Sequence, residues 1–105
     1  MRNHRAGYFS GLKIKSLKRL KKIIAGLKSR QKKIIFTNGC FDLLHYGHVK
    51  YLQDAKNKGD VLVVAVNSDS SIKRIKDPGR PLVSQKDRMS LIAALESVDY
   101  VTLFD

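Results

Sequence analysis

Ile34-Ile35-Phe36-Thr37-Asn38-Gly39-Cys40-Phe41-Asp42-Leu43-Leu44-His45-Tyr46-Gly47-His48 opens on an apolar run and closes on two histidines three residues apart. The run predicts a strand, and Val49, Leu52 and Ala55 then recur at helical spacing. Between them lies a turn that delivers the chain to a helix N-terminus. A helix start aims unpaired backbone N–H groups and the positive end of its dipole at one point, which suits a phosphate. Positions i and i+3 of a first helical turn share a face, so His45 and His48 can address the same ligand. Gly47 removes a side chain where that ligand would approach.

Downstream, the helix runs to about Lys58, where Gly59 supplies a stop. Asp60 to Val66 is apolar without alternation, as in a central parallel strand covered on both faces. Asn67-Ser68-Asp69 ends it, and Asp69 or Ser70 caps a short helix through Ile72 and Ile75. Lys76 to Pro81 is a loop by its turn residues. Ser84-Gln85-Lys86-Asp87 resembles a capping box with Asp in place of Glu, opening a helix through Met89, Ile92, Ala93 and Leu95. Tyr100 to Phe104 reads as a third strand. Upstream, Ser16 caps an amphipathic helix over residues 16–30, with Leu17, Leu20, Ile23, Ile24 and Leu27 on one stripe and lysines elsewhere. Residues 1–15 show no sustained period and are expected to be loose.

This order of elements predicts an α/β fold with a parallel sheet and right-handed crossovers. Ligands of such sheets bind beyond the carboxyl ends of the strands, so residues 37–48 and 67–69 face one crevice.

The net charge of +12 is unevenly spread. Residues 1–33 hold 12 of the 21 Lys and Arg and none of the 9 Asp and Glu, leaving nine of each sign for the remainder. A basic arm on a neutral body is the picture. Its apolar stripe is expected to pack on the sheet with the lysines solvated; RNA or an anionic membrane surface is the alternative partner. The 105 residues make one domain, and one cysteine, Cys40, excludes an internal disulfide. There is no apolar stretch of about 18 residues to span a bilayer and no signal-peptide core, so a cytoplasmic location is expected.

Cys40-Phe41-Asp42 followed by His45-Tyr46-Gly47-His48 resembles the signature of the nucleotidylyltransferase superfamily, a small residue and Phe-Asp before a His-x-Gly-His box. The resemblance implies a Rossmann-like sheet and transfer of a nucleoside monophosphate from a triphosphate to a phosphorylated acceptor, with pyrophosphate leaving. It implies catalytic roles for His45 and His48 at the triphosphate. Thr37, Asn38, Gly39, Cys40, Phe41, Asp42, Gly47 and Lys76 are then expected to bind nucleotide. Val66 to Asp69, Lys73 to Lys76, Arg80-Pro81, and Arg88 before Leu91 to Leu95 are similar to the adenylyltransferases that make ADP-heptose from heptose 1-phosphate. On that likeness AMP passes from ATP to a sugar phosphate, Asn67, Asp69, Arg80 and Arg88 contact the substrate, and Mg2+ accompanies ATP. A homodimer is expected from the same family.

The family continues past the strand equivalent to Tyr100 to Phe104 with further strands and a Ser/Thr-rich loop, so residues 16–105 are expected to form part of the family's domain. Cytidylyl transfer to an alcohol phosphate, flavin-nucleotide synthesis and a non-catalytic nucleotide or RNA binder are the alternatives. A zinc site of Cys40, His45 and His48 would be one ligand short.

Overall fold

The computed structural model describes residues 10–105. Helix α1 (Leu17–Ser29) precedes three parallel strands, β1 (Ile34–Gly39), β2 (Val61–Asn67) and β3 (Tyr100–Phe104), which lie in that order with β2 in the middle. Ile34 stands opposite Val61 and Val63 opposite Tyr100, so all the carboxyl ends emerge on one edge. Parallel neighbours need crossovers. Helix α2 (Tyr46–Lys56) supplies the first, and α3 (Asp69–Ile75) with α4 (Gln85–Ala93) the second.

Strand side chains alternate between faces, so β2 sends Leu62, Val64 and Val66 one way and Val61 and Val63 the other. The first set packs with Leu52, Ala55, Ile92, Ala93 and Val101. The second packs with Leu20 and Leu27 of α1. Both faces are covered, which is why the strand lacks alternation. The stripe of the basic helix is thereby accounted for: Leu20 is 1% exposed while Lys18, Lys21 and Lys22 stand in solvent. Ser16 caps this helix as expected, its Oγ accepting from the Arg19 N–H at 3.2 Å. Leu20→Ala should lower unfolding free energy by about 2–5 kcal/mol, measured from the denaturant midpoint.

Toward the carboxyl edge α1 no longer covers the sheet. Phe36, Ala65, Thr102 and Phe104 border an open groove there of about 400 Å³, and the Thr102 hydroxyl is buried in it without a hydrogen-bond partner among the described residues.

Several expectations need correction. Of residues 1–15, expected to be loose, 1–9 lie outside the described residues, whereas 10–15 dock on the open edge of β3. Ile14 bridges Val101 in parallel, the Lys15 N–H donates to Val101 O at 2.8 Å, and Lys13 Nζ donates to Leu95 O at 3.1 Å. A sheet edge carries unpaired backbone groups, and this segment satisfies some of them. Gly59 is needed for close approach rather than as a helix stop: a Cβ there would stand 2.7 Å from Ile35 Cγ1 and 2.9 Å from Lys33 O. Ser68, not Asp69 or Ser70, caps α3, accepting from the Ser71 N–H at 3.1 Å. Among the described residues no helix is long and apolar enough to cross a membrane.

Candidate active site

The site begins with the way β1 ends. A Cβ on Gly39 would stand 2.9 Å from Phe41 Cε2, so the absence of one lets the Phe41 ring fold back over the strand end. Phe41 takes a φ of 50°, a left-handed conformation that costs a residue with a Cβ about 1–2 kcal/mol. Burial of its ring in the core offsets that cost, and the ring meets His48 edge-on with centroids 5.5 Å apart. The turn leaves Asp42 only 5% exposed.

Helical spacing predicts His45 and His48 on one face of a first turn. They do meet, but for a different reason. His45 lies just outside α2 as its N-cap, with extended backbone at φ −138°. The Gly47 N–H donates to His45 Nδ1 at 3.0 Å, and the His45 N–H donates to His48 Nδ1 at 3.2 Å. This reciprocal cap brings the ring centroids to 4.1 Å. Since both Nδ1 atoms accept, each neutral ring carries its proton on Nε2, turned away from the backbone. An imidazolium has no acceptor, so the cap needs neutral rings. Burial, and then the neighbouring His45, push the His48 pKa below the ordinary histidine value and keep that ring neutral.

Cys40, Phe41, Asp42, Leu43, His45, His48, Lys76 and Arg80 line one pocket of about 390 Å³. Asp42 is the one carboxylate among them, and its oxygens are committed. Oδ1 accepts from the N–H groups of Leu82 and Val83, both at 2.9 Å, while Oδ2 meets Arg80 Nε at 2.6 Å. Burial works to raise the Asp42 pKa, but the two N–H donors and Arg80 outweigh it and hold the group below the ordinary carboxylate value.

Arg88 does not reach the pocket, which corrects its expected contact with substrate. It is fully buried. Nε donates to Val83 O at 2.8 Å, one terminal nitrogen to Cys40 O at 2.8 Å and Asn67 O at 2.7 Å, and the other to Asp69 Oδ1 at 2.7 Å. A single guanidinium thus ties together the turn after β1, the end of β2, the start of α3 and the loop before α4. The signal for this was its position four residues before Ile92, on the buried stripe of α4.

Asn67, also expected at the substrate, is 7% exposed and donates Nδ2 to Ser71 Oγ at 2.9 Å. Asp69, half-buried, has one oxygen on Arg88 and is not among the residues lining the pocket. Thr37 Oγ1 pairs with the Tyr51 hydroxyl at 2.8 Å, and Asn38 borders the apolar groove on the other face, so neither lines the pocket. Gly39 and Gly47 shape the site by lacking a Cβ. Leu43, exposed and at the pocket, carries no polar group that sequence reasoning could single out. Among the described residues no group of three His, Cys, Asp or Glu side chains is placed to hold a metal ion.

Fold and site together define an α/β domain of the nucleotidylyltransferase type. Residues 36–105 match the model of the cytidylyltransferase-like family, and the chain belongs to that family. The bifunctional protein HldE of Geobacter metallireducens is 57% identical over 96 residues, covering 91% of this chain and 20% of that one. HldE of Helicobacter pylori strain HPAG1 is 59% identical over 86 residues, covering 82% and 19%. A crystal structure of the lipopolysaccharide core biosynthesis protein from Thermoplasma volcanium GSS1 matches with a TM-score of 0.65 and 35% identity, over 70% of this chain and 59% of that chain. The chain spans about a fifth of the length of the HldE relatives it matches.

Proposed function

We propose that this chain carries the nucleotide-transfer centre of an adenylyltransferase that moves AMP from ATP onto a sugar phosphate, heptose 1-phosphate, releasing pyrophosphate. The observation that carries this reading is the meeting of His45, His48, Lys76 and Arg80 around one pocket whose only carboxylate is already neutralised. Such a set suits a polyphosphate.

An oxygen of the sugar phosphate attacks the α-phosphorus; the new P–O bond forms as the bond to the β-phosphate oxygen breaks, and its electron pair leaves with pyrophosphate. Nucleophile and leaving group are both ionised beforehand, so no proton has to move. The protein's work is placement and charge stabilisation. The Nε2–H groups of His45 and His48 donate to oxygens on the α-phosphorus as charge builds there. Lys76 and Arg80 hold the departing pyrophosphate. Mg2+ belongs to the ATP complex and supplies further neutralisation. Asp42, with both oxygens engaged, is not its ligand.

The likeness to the HldE proteins and to a lipopolysaccharide core biosynthesis protein supports a phosphosugar as acceptor. Incubating the chain with Mg-ATP or Mg-CTP and either heptose 1-phosphate or glycerol 3-phosphate, while following pyrophosphate, tests it. Release with ATP and the heptose phosphate is expected. Release confined to CTP and the alcohol phosphate would replace it with cytidylyl transfer, and silence from every pair rejects it.

Gly47 offers a separate check. A Cβ there would stand 2.7 Å from His45 Cε1, and the ring can yield by rotating. Alanine is the better helix former by about 1 kcal/mol, but rotation of the ring gives up the His45 cap on the residue-47 N–H, a loss of about the same size, so Gly47→Ala should leave Tm nearly unchanged. Its displaced imidazole should nevertheless lower turnover by about 10²-fold.

A further inference from the structure

The segment between α3 and α4 carries both cations of the pocket, Lys76 and Arg80, and its attachment to the site runs through two buried side chains, Asp42 and Arg88. Asp42 takes the N–H groups of Leu82 and Val83 at 2.9 Å, and Arg88 Nε donates to Val83 O at 2.8 Å from within the core. The Val83 peptide groups are therefore held at both the N–H and the carbonyl. Two residues before this clamp, Arg80 meets Asp42 through Nε at 2.6 Å. That contact is a close ion pair whose Nε–H is not aligned as a hydrogen bond on the carboxylate, and no hydrogen bond among the described residues engages the two terminal nitrogens, a fork that matches two phosphate oxygens.

We propose that Asp42 is a positioning residue: it clamps the 80–83 segment against the turn after β1 and orients the Arg80 fork for bidentate capture of a phosphate of the triphosphate or of released pyrophosphate. This rests on reading the pocket as a phosphate site. It departs from any direct role for Asp42 at the nucleotide or a metal, because its oxygens are engaged within the protein. It also separates the two cations. Arg80, already paired, contributes geometry, whereas Lys76, exposed and in no ion pair among the described residues, contributes charge.

The sign of one measurement decides the matter. Asp42→Asn removes a negative charge beside an anion site, and electrostatics alone would make it bind anions more tightly. Its Oδ1 can still accept from Leu82 and Val83, but its Nδ2 faces Arg80 with the wrong polarity. Positioning therefore requires weaker binding. With inorganic pyrophosphate as probe in calorimetry, Asp42→Asn should bind about tenfold more weakly than wild type, the worth of one charge-assisted hydrogen bond. In an Arg80→Ala background the same change should no longer weaken binding, since the side chain it orients is gone.

Equal or tighter binding by Asp42→Asn, or undiminished weakening without Arg80, overturns the proposal. Absence of pyrophosphate binding by the wild-type chain instead overturns the phosphate-site reading beneath it. Should Asp42→Asn not fold, Arg80→Lys asks the same question: it keeps the charge and loses the fork, so binding as weak as that of Arg80→Ala supports positioning and near-wild-type binding refutes it.

Discussion

Replacing His48 with alanine is expected to lower kcat for pyrophosphate release by about 10²–10³-fold, the range found for removal of one donor from an oxyanion site. KM for ATP should change far less, because the donor matters most where charge develops. His48 also accepts from the His45 N–H, so the variant loses half of the reciprocal cap. A lost cap costs about 1 kcal/mol, too little to unfold the domain, and circular dichroism should show native helix. Near-normal kcat in a folded variant would remove His48 from the reaction.

The same ring sets a dependence on pH. Its folded-state pKa is lowered, chiefly by burial and then by His45. The unfolded chain therefore takes up this proton first as acid is added. Stability from the neutral cap is intact above the ordinary imidazole range and is lost as pH falls through the lower, folded-state value. Titration of the ring by NMR should place its midpoint below that of free histidine, and a midpoint above it contradicts the packing described here.

Arg88→Met is expected to have the largest effect on stability. It strands three carbonyls, those of Cys40, Asn67 and Val83, together with the Asp69 carboxylate. The Asp69 carboxylate is partly solvated, but each buried acceptor left unsatisfied costs about 1–3 kcal/mol, so three stranded carbonyls remove a large share of the about 5–15 kcal/mol that holds a domain together. A fall in Tm of more than about 10 °C follows for a chain of this size. Arg88→Lys should rescue little, since an ammonium cannot span four acceptors arranged for a planar fork. Were Arg88 a phosphate contact, the variant would lose turnover and keep its melting temperature. That outcome is the one to look for.

Much of the fold is legible in one dimension because local periodicity reports local backbone. The unbroken run Val61 to Val66 has the composition of a strand buried on both sides, and the two core clusters on either face of β2 bear this out. The parallel order follows from helices placed between strands, and the shared carboxyl edge follows from parallel order. The Ser16 and Ser84 caps are likewise visible as residue type before a helical stripe.

What escaped was the direction in which polar side chains spend their hydrogen bonds. Arg80 and Arg88 are equal candidates for phosphate when read as letters. One lines the pocket with Asp42 behind it, and the other turns inward to carbonyls 5, 21 and 48 residues away in the chain. Asn67 and Asp42 look like ligand contacts and prove to be internal ties. Even the histidine pair, correctly placed together, owes its meeting to a cap rather than to helical spacing. Periodicity and propensity are properties of neighbours along the chain, so the sequence alone could establish the elements, their order and the edge where the chemistry gathers. Which donors remain for a ligand depends on acceptors brought near by folding, and that choice exists only once the sheet, the loop before α4 and the turn after β1 are packed together.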